Sequence, residues 1–506
     1  MIKKQNMPKG IAENSIQQII SMIVERGGGL IFTIILARLL QPTLFGIYSL
    51  TLSITLTLIT LGNLGINEAM LRYVSLYYSK KQYDLANSYF VFLTKLKVYA
   101  LTFVVLLLIV IAKPVSIFYN NSQLFFPIII CSLYLFLFSL SQFFSSAFYS
   151  LKNVKLFTYK ETFFQIIRLC LVPLLILFSD SQKVNGIFLI IALASMFSLL
   201  FVTGILMKNY SFLFKRNLKK IDKKGLLKYI LFLSIGSISG IFFVYIDTLI
   251  LGYYVEPELL GFYRAAFTIV TSVSALITIT GVFYPLFASL EGEELEVIFN
   301  RIFYFVSMFS IPLSLGISFI SKPFIVALFG ESYLPAAIPL IPLSFFIFTL
   351  TSGELFSVLL NSKGKSKVTA FSMSIATILN IVLNFVFIAL FLRIASPIYA
   401  TFGAALATVI SRFCLMFILI YFFNKKMGFM PKFSNIFKLI FSGIIMVLFL
   451  YFFDKFFYGN LNLLLGIVEI IIAVLIYFSV LFLIKGVKKE DIDFIKNNIL
   501  KDNFLK

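Results

Sequence analysis

QPTLFGIYSL (41–50) follows the first long apolar run of this chain, and EPELLGFYRA (256–265) follows the seventh. Pro42, Leu44, Gly46 and Tyr48 recur as Pro257, Leu259, Gly261 and Tyr263, each 215 positions further on. A second echo follows the third run of each half, where Lys113–Pro114 recurs as Lys322–Pro323, 209 positions on. Two echoes in the same order predict an internal duplication. Six apolar runs separate the copies. That number is even, so two membrane-embedded halves would share one topology and be related by an axis along the membrane normal.

That the runs are membrane spans follows from composition. The 506 residues are 60% hydrophobic and 13% charged, with a mean hydropathy of +1.00, against roughly 45–50% and about 25% in soluble domains. Sixty-two Phe residues add large apolar area with no polar group to satisfy. Trp is absent, so an interfacial aromatic belt rests on the 25 Tyr residues. A net charge of +21 points toward nucleic acid only if it gathers on one folded face, and here it lies in short loops between apolar runs. We therefore expect no nucleic-acid partner. The chain has no His, which removes the commonest metal ligand and general base. Cys131, Cys170 and Cys414 sit in apolar runs and read as small buried hydrophobes. No cofactor or metal is expected.

With about 20 apolar residues per span, the runs predict an all-α polytopic protein of about fourteen spans: 16–37, 45–66, 89–112, 124–147, 161–178, 186–207, 229–251, 265–288, 302–320, 337–360, 368–391, 401–423, 436–453 and 463–484. Lys3, Lys4 and Lys9 precede the first run. No small-residue cleavage pattern follows and Glu25–Arg26 interrupts it, so it reads as an uncleaved span. The domains expected are a six-helix bundle over 1–207, a basic connector over 208–228, a second six-helix bundle over 229–423, and two further helices with a basic tail over 424–506. Lys and Arg crowd one set of loops. These are the N-terminus, Arg72 with Lys80 and Lys81, then Lys152, Lys155 and Lys160, the 208–228 connector, Lys363 to Lys367, Lys425 to Lys432, and the tail. The opposite loops carry about one each, among them Arg38, Lys113, Lys183, Arg264, Lys322, Arg393 and Lys455. The asymmetry predicts a multi-pass protein of the cytoplasmic (inner) membrane with both termini cytoplasmic.

Two similar bundles without an extramembranous domain suit a secondary transporter, whose site lies near mid-membrane. Ionisable residues inside spans are the first candidates, because a charge in lipid is costly. Glu25 and Arg26 lie near the middle of the first span and precede Gly27–Gly28–Gly29. They are read either as an anion-binding Arg on a wet cavity with a glycine bend, or as a local pair gripping another helix. Arg168 and Arg412 can meet phosphate through a planar fork of donors, or satisfy a helix carbonyl or an acidic neighbour. Glu25, Asp247 and Glu354 are the carboxylates open to ion coupling, with Glu469 also within a span. Asp247, near a predicted outer end, has a solvated reading as well. Asn380 and Asn384 share a helix face as interhelical glue, and Gly403, Ala404, Ala405 and Ala407 form a small-residue packing face. The 208–228 connector is basic as topology requires, which also favours anionic lipid. The acidic run Glu291, Glu293, Glu294 and Glu296 reads as a solvated loop.

LARLLQPTLFGIYSL (36–50) resembles the opening signature of polysaccharide flippases, in which an Arg, a Pro and a Gly-x-Tyr follow the first span. LFGESYLPA (328–336), NSKGKSK (361–367), LNIVLNFVFIAL (379–390) and TFGAALATVIS (401–411) are similar to that family's later pattern. The resemblance, from about residue 11 to residue 423, is to the oligosaccharide-lipid flippase branch of the multidrug/oligosaccharidyl-lipid/polysaccharide exporter superfamily. It implies alternating access of two six-helix bundles, which carries a polyprenyl-pyrophosphate-linked glycan from the cytoplasmic to the outer leaflet. It also implies a lipid-tail groove formed by the last two spans. Arg26, Arg168 and Arg412 are thereby implied as contacts for pyrophosphate or acidic sugars. Implied partners are the lipid-linked oligosaccharide, membrane lipids, and glycan polymerase or ligase machinery. Lipid II flippases of the superfamily carry an Arg–Asp pair in the first span. Glu25–Arg26 departs from it in order, which favours a general glycan flippase. The rivals are a cation-coupled multidrug exporter on the same fold, which calls for carboxylates and aromatics rather than arginines, and a membrane glycan polymerase or ligase. The latter calls for a large external loop with catalytic residues, and the external loops here are short.

Overall fold

Helix follows helix along the described residues, as the apolar runs require. The structure is a computed structural model that describes residues 9–63, 65–215, 218–277, 280–456 and 463–486, and none of these residues is in a strand. The expectations for Lys3, Lys4 and the basic tail beyond residue 486 lie outside the described residues.

Fourteen long helical segments coincide with the expected spans. Lys9–Asn63 contains the first two, broken at Gln41, whose φ of 58° is not helical. Pro42 has no N–H to continue the ladder, and the Gln41 Nε2 donates to the orphaned Arg38 carbonyl at 2.9 Å. The others are Tyr83–Phe118, Phe125–Ser150, Val154–Leu171, Lys183–Asn209, Lys223–Tyr254, Pro257–Ile277 with Thr280–Ser289, Gly292–Phe319, Phe345–Ser362, Ser366–Ile394, Tyr399–Met427, Ser434–Phe456 and Leu463–Leu483. Most are long and apolar enough to cross a membrane. The fifth, Val154–Leu171, is 18 residues long but carries Lys155, Lys160, Glu161 and Arg168, more charge than an ordinary lipid-facing span tolerates. It also begins earlier than the apolar run suggests.

The third helix shows how lipid and protein share a surface. Leu93, Lys97, Leu101, Val104, Leu108 and Ala112 follow the helical repeat and are buried, whereas Tyr99, Phe103, Leu106 and Val110 on the other side are exposed. Apolar residues on both faces are what a span in lipid requires. Cys131 is buried as expected, but Cys414 is only half-buried and Cys170 is exposed, which corrects the reading for those two.

The chain forms two compact units, one from Ile20 to Arg264 and the other from Ala265 onward together with the stretch before Ile20. The first holds the opening six helices, the connector, the seventh helix and the start of the eighth. The basic connector is docked within it. Asn87 Nδ2 donates to the Lys215 carbonyl and the Lys219 N–H to Ser88 Oγ, both at 2.8 Å, and Lys219 pairs with Asp84 at 3.0 Å. Within the same unit the two copies of the opening motif meet. A Cβ on Gly46 would collide with the Pro257 carbonyl, and a Cβ on Gly261 with the Pro42 carbonyl. Each glycine thus lies on the other copy's proline, which explains why the pair recurs together.

In the second unit the eleventh and twelfth helices pack tightly. A Cβ on Gly403 would come 2.8 Å from the Phe387 carbonyl, so the small-residue face is a close-approach surface. Asn380 and Asn384 are fully buried, and Asn380 Nδ2 reaches Thr408 Oγ1 at 3.5 Å. The acidic run opens the ninth helix, with Glu293 and Glu294 exposed in its first turn, where carboxylates suit the helix dipole.

Candidate functional site

The fifth helix starts where the Asn153 side chain accepts from the Leu156 N–H at 3.4 Å. Along it, Lys160, Phe164 and Arg168 recur every four residues on one face, flanked by Glu161 and Gln165. Lys160 and Glu161 form an ion pair, Nζ to Oε1 2.7 Å, with side chains 0% and 1% exposed. The ammonium lies 5.7 Å from the Phe164 ring centre and 5.9 Å from that of Phe138. This corrects the sequence expectation, which put Lys160 in a cytoplasmic loop. The helix begins two turns before the apolar run, so the charged stretch is carried inside.

The glycine run of the first helix packs against this face. A Cβ on Gly28 would come 2.8 Å from Gln165 Oε1, and one on Gly29 would come 3.7 Å from an Arg168 guanidinium nitrogen. Gln165 Nε2 donates to the Glu25 carbonyl at 3.4 Å. The Arg168 guanidinium stacks on Phe32 at 4.3 Å and lies 5.4 Å from the Phe164 ring centre. Its Nε and one terminal nitrogen are buried and spend no hydrogen bond within the described protein. Buried donors of this kind are normally satisfied, and a stacked guanidinium with uncommitted N–H groups is equipped to take a planar or phosphate anion.

Glu25 is exposed, and its carboxylate interacts electrostatically with Glu161, Lys160, Arg26 and Arg168. Three cations face two carboxylates, an excess of one positive charge. Tyr134 and Tyr48, the latter from the repeated motif, add polar edges near Arg168. Tyr48 is itself held by stacking on Phe188 at 5.2 Å. Of the residues singled out in the sequence, Glu25, Arg26 and Arg168 are therefore brought together. Lys160 and Glu161 join them unforeseen. An ion pair between adjacent residues at the end of an apolar run looks like a loop until the helix start is known.

The remaining candidates lie elsewhere. Arg412 belongs to the second unit, 8% exposed, with its guanidinium 4.9 Å from the Phe346 ring centre. Glu354 is half-buried in the tenth helix, and Glu469 is 5% exposed in the last. Asp247 is not solvated, a correction to that reading. It is 1% exposed and accepts from the Tyr263 hydroxyl at 2.6 Å, so the second copy of the motif holds a carboxylate under cover. Sequence reasoning also missed Lys97, fully buried in the third helix. Its ammonium donates to Asn63 Oδ1 and, at 3.5 Å, to Asn67 Oδ1, while Ser139 donates to the same Asn63 oxygen at 2.9 Å. Lys95 and Lys97 inside the run 89–112 were the available signal.

The sequence profile of a family described as polysaccharide biosynthesis protein matches residues 11–291. An uncharacterized membrane protein of Methanocaldococcus jannaschii is 24% identical over 405 residues, 75% of this chain and 77% of that one. The teichuronic acid biosynthesis protein TuaB of Bacillus subtilis is 34% identical over 100 residues, 19% of this chain and 20% of its own length. Among solved structures, the lipid II flippase MurJ in an inward closed conformation superposes with a TM-score of 0.68 at 14% identity, covering 92% of this chain and 97% of that one. At that identity the likeness shows the fold.

Proposed function

This chain belongs to the polysaccharide biosynthesis protein family, and from that premise we propose that it is a flippase for polyprenyl-(pyro)phosphate-linked oligosaccharides. It is a multi-pass membrane protein with the fold of a lipid flippase. In this reading it carries the glycan unit from the cytoplasmic to the outer leaflet by alternating access, makes and breaks no covalent bond, and hands the unit to polymerase or ligase machinery. The positive-inside asymmetry supports a cytoplasmic membrane with both termini cytoplasmic. One observation carries the substrate assignment. Arg168 is stacked and half-buried, with buried N–H donors uncommitted, inside a cluster with a net positive charge. An anionic (pyro)phosphate headgroup supplies the acceptors that this guanidinium lacks. Arg26 and the exposed Glu25 lie beside it, and Arg412, on the Phe346 ring of the second unit, is a separate cationic candidate.

The test is reconstitution in vesicles with a polyprenyl-pyrophosphate-linked oligosaccharide and an impermeant reagent that reports the outer leaflet. Wild type is expected to translocate, Arg168→Ala to lose at least about tenfold, equivalent to about 1.4 kcal/mol, and Arg168→Lys to recover only part. No translocation by wild type across several glycans overturns the reading. A cation-coupled exporter is the second reading, and the buried Asp247–Tyr263 pair is the observation that favours coupling. Loss of a transmembrane ion dependence in Asp247→Asn, with transport retained, would assign Asp247 that role.

A further inference from the structure

At one end of the first unit, the close of the third helix meets the turn between the seventh and eighth helices around a cavity of about 280 Å³. Its distinctive lining is Tyr119, Asn120, Asn121, Tyr253, Tyr254 and Glu256. No part of the anion cluster takes part in it. Small-molecule pockets run from roughly 300 Å³ upward, so the space suits one sugar ring with its neighbours projecting outward.

The lining is held in place by its own bonds. The Tyr119 hydroxyl donates to the Leu249 carbonyl at 3.2 Å, which fixes the ring. Burial pushes this phenol up to about 12, so it remains a donor at physiological pH. Ser116 Oγ donates to the Asn121 carbonyl at 2.9 Å and the Asn121 N–H to the Ser116 carbonyl at 3.0 Å. Asn121 Oδ1 is taken by the Gln123 N–H at 3.0 Å, so the amide NH₂ is what it offers a ligand. Asn120 holds the left-handed conformation, φ 47°, that asparagine tolerates best after glycine. Tyr253 and Tyr254 stand perpendicular, centres 5.2 Å apart and planes at 89°, and Tyr253 packs on Phe118 at 5.0 Å. Both tyrosines are exposed, 54% and 39%.

We propose that this cavity is a glycan-binding subsite for a neutral sugar. An aromatic face takes the apolar C–H face of a pyranose. At its edge the amide NH₂ donates to sugar oxygens and the carboxylate accepts from sugar hydroxyls. The Glu256 carboxylate sets the charge preference, because a uronic acid brought beside it is repelled. The helix ends and turns that form the cavity, between Lys113 and Leu124 and between Gly252 and Arg264, are on the side to which the sequence assigns few basic residues. The subsite therefore meets a glycan that has reached the outer side. This inference rests on the flippase reading, and goes beyond it by naming a second, uncharged recognition point for the sugar.

Saturation-transfer NMR on the full chain in lipid nanodiscs tests it with two soluble probes, chitotriose for a neutral glycan and trigalacturonate for an acidic one. Transfer to chitotriose is expected in wild type, in Arg168→Ala and in Tyr253→Phe, which keeps the ring. Loss of at least about fivefold is expected in Tyr253→Ala and in Tyr254→Ala. Trigalacturonate is expected to give signal only in Glu256→Gln. No transfer to chitotriose in wild type, or equal transfer in the Tyr→Ala variants, overturns the proposal. Vesicle translocation in the same variants separates the two readings. Wild-type flipping with an inert cavity sinks the subsite alone, whereas absent flipping with glycan binding sinks the transport reading. Soluble probe bound but the lipid-linked form not competing would make the source a free saccharide, against a subsite in the translocation route.

Discussion

Arg168, Gln165 and Gly28 form a chain of contacts in which each residue type matters for a different reason. The Arg supplies uncommitted donors, the Gln bridges to the first helix, and the glycine leaves it room. Gly28→Ala would push on the Gln165 amide at a cost of about 1–3 kcal/mol, offset in part by the ~1 kcal/mol better helix propensity of Ala. Gly27, where a Cβ meets open space, has only that gain. Thermal unfolding in one detergent should therefore rank Gly27→Ala at or above wild type and Gly28→Ala below it; equal midpoints would count against the packing described. The Lys160–Glu161 pair makes a sharper prediction. Glu161→Gln leaves a buried ammonium without its counter-charge and is expected to cost about 3–5 kcal/mol. Adding Lys160→Met should return most of that stability, since a buried pair replaced together is often close to neutral. If the double variant restores stability and still translocates, the pair is scaffolding for Arg168 and not a contact for substrate.

At the scale of helices, hydropathy located nearly every element, because a lipid span must be apolar for about 20 residues whatever it packs against. It failed where that rule is broken. The fifth helix starts at Val154 with four ionisable residues, so its charged half looked like loop and Lys160 and Glu161 went unrecognised. Arg168 was legible because its surroundings are apolar, but the stacking on Phe32 was not, since it depends on which faces of two helices meet. The repeat was legible as a pattern, and its reason emerges only from the contact of Gly46 and Gly261 with the opposite prolines. Because those contacts are with backbone, neither side can yield by changing rotamer. Gly46→Ala and Gly261→Ala are each expected to lower the unfolding midpoint more than Gly28→Ala does. In a variant lacking Cys131, Cys170 and Cys414, either alanine should also raise labelling of Leu50→Cys by an impermeant maleimide. Unchanged labelling would show that the contact is incidental to opening that side.

Across the whole molecule, the sequence expectation places most of the basic excess of +21 on one side, and the connector that carries much of it is bonded to the start of the third helix. A cysteine introduced at Lys220 is expected to react with impermeant reagent only from the cytoplasmic side. Labelling from outside would invert the topology and, with it, the placement of the tyrosine cavity. The duplication has a further consequence at this scale. Two copies of a motif whose glycines lie on each other's proline backbone are not free to drift apart as duplicated sequences usually do. A change tolerated in one is filtered by the other, so second-site revertants of a Gly46 variant should fall near Pro257 rather than scatter through the chain. The pair behaves as one heritable character written in two places, which is why four of its letters remain readable after the rest of the two halves has diverged.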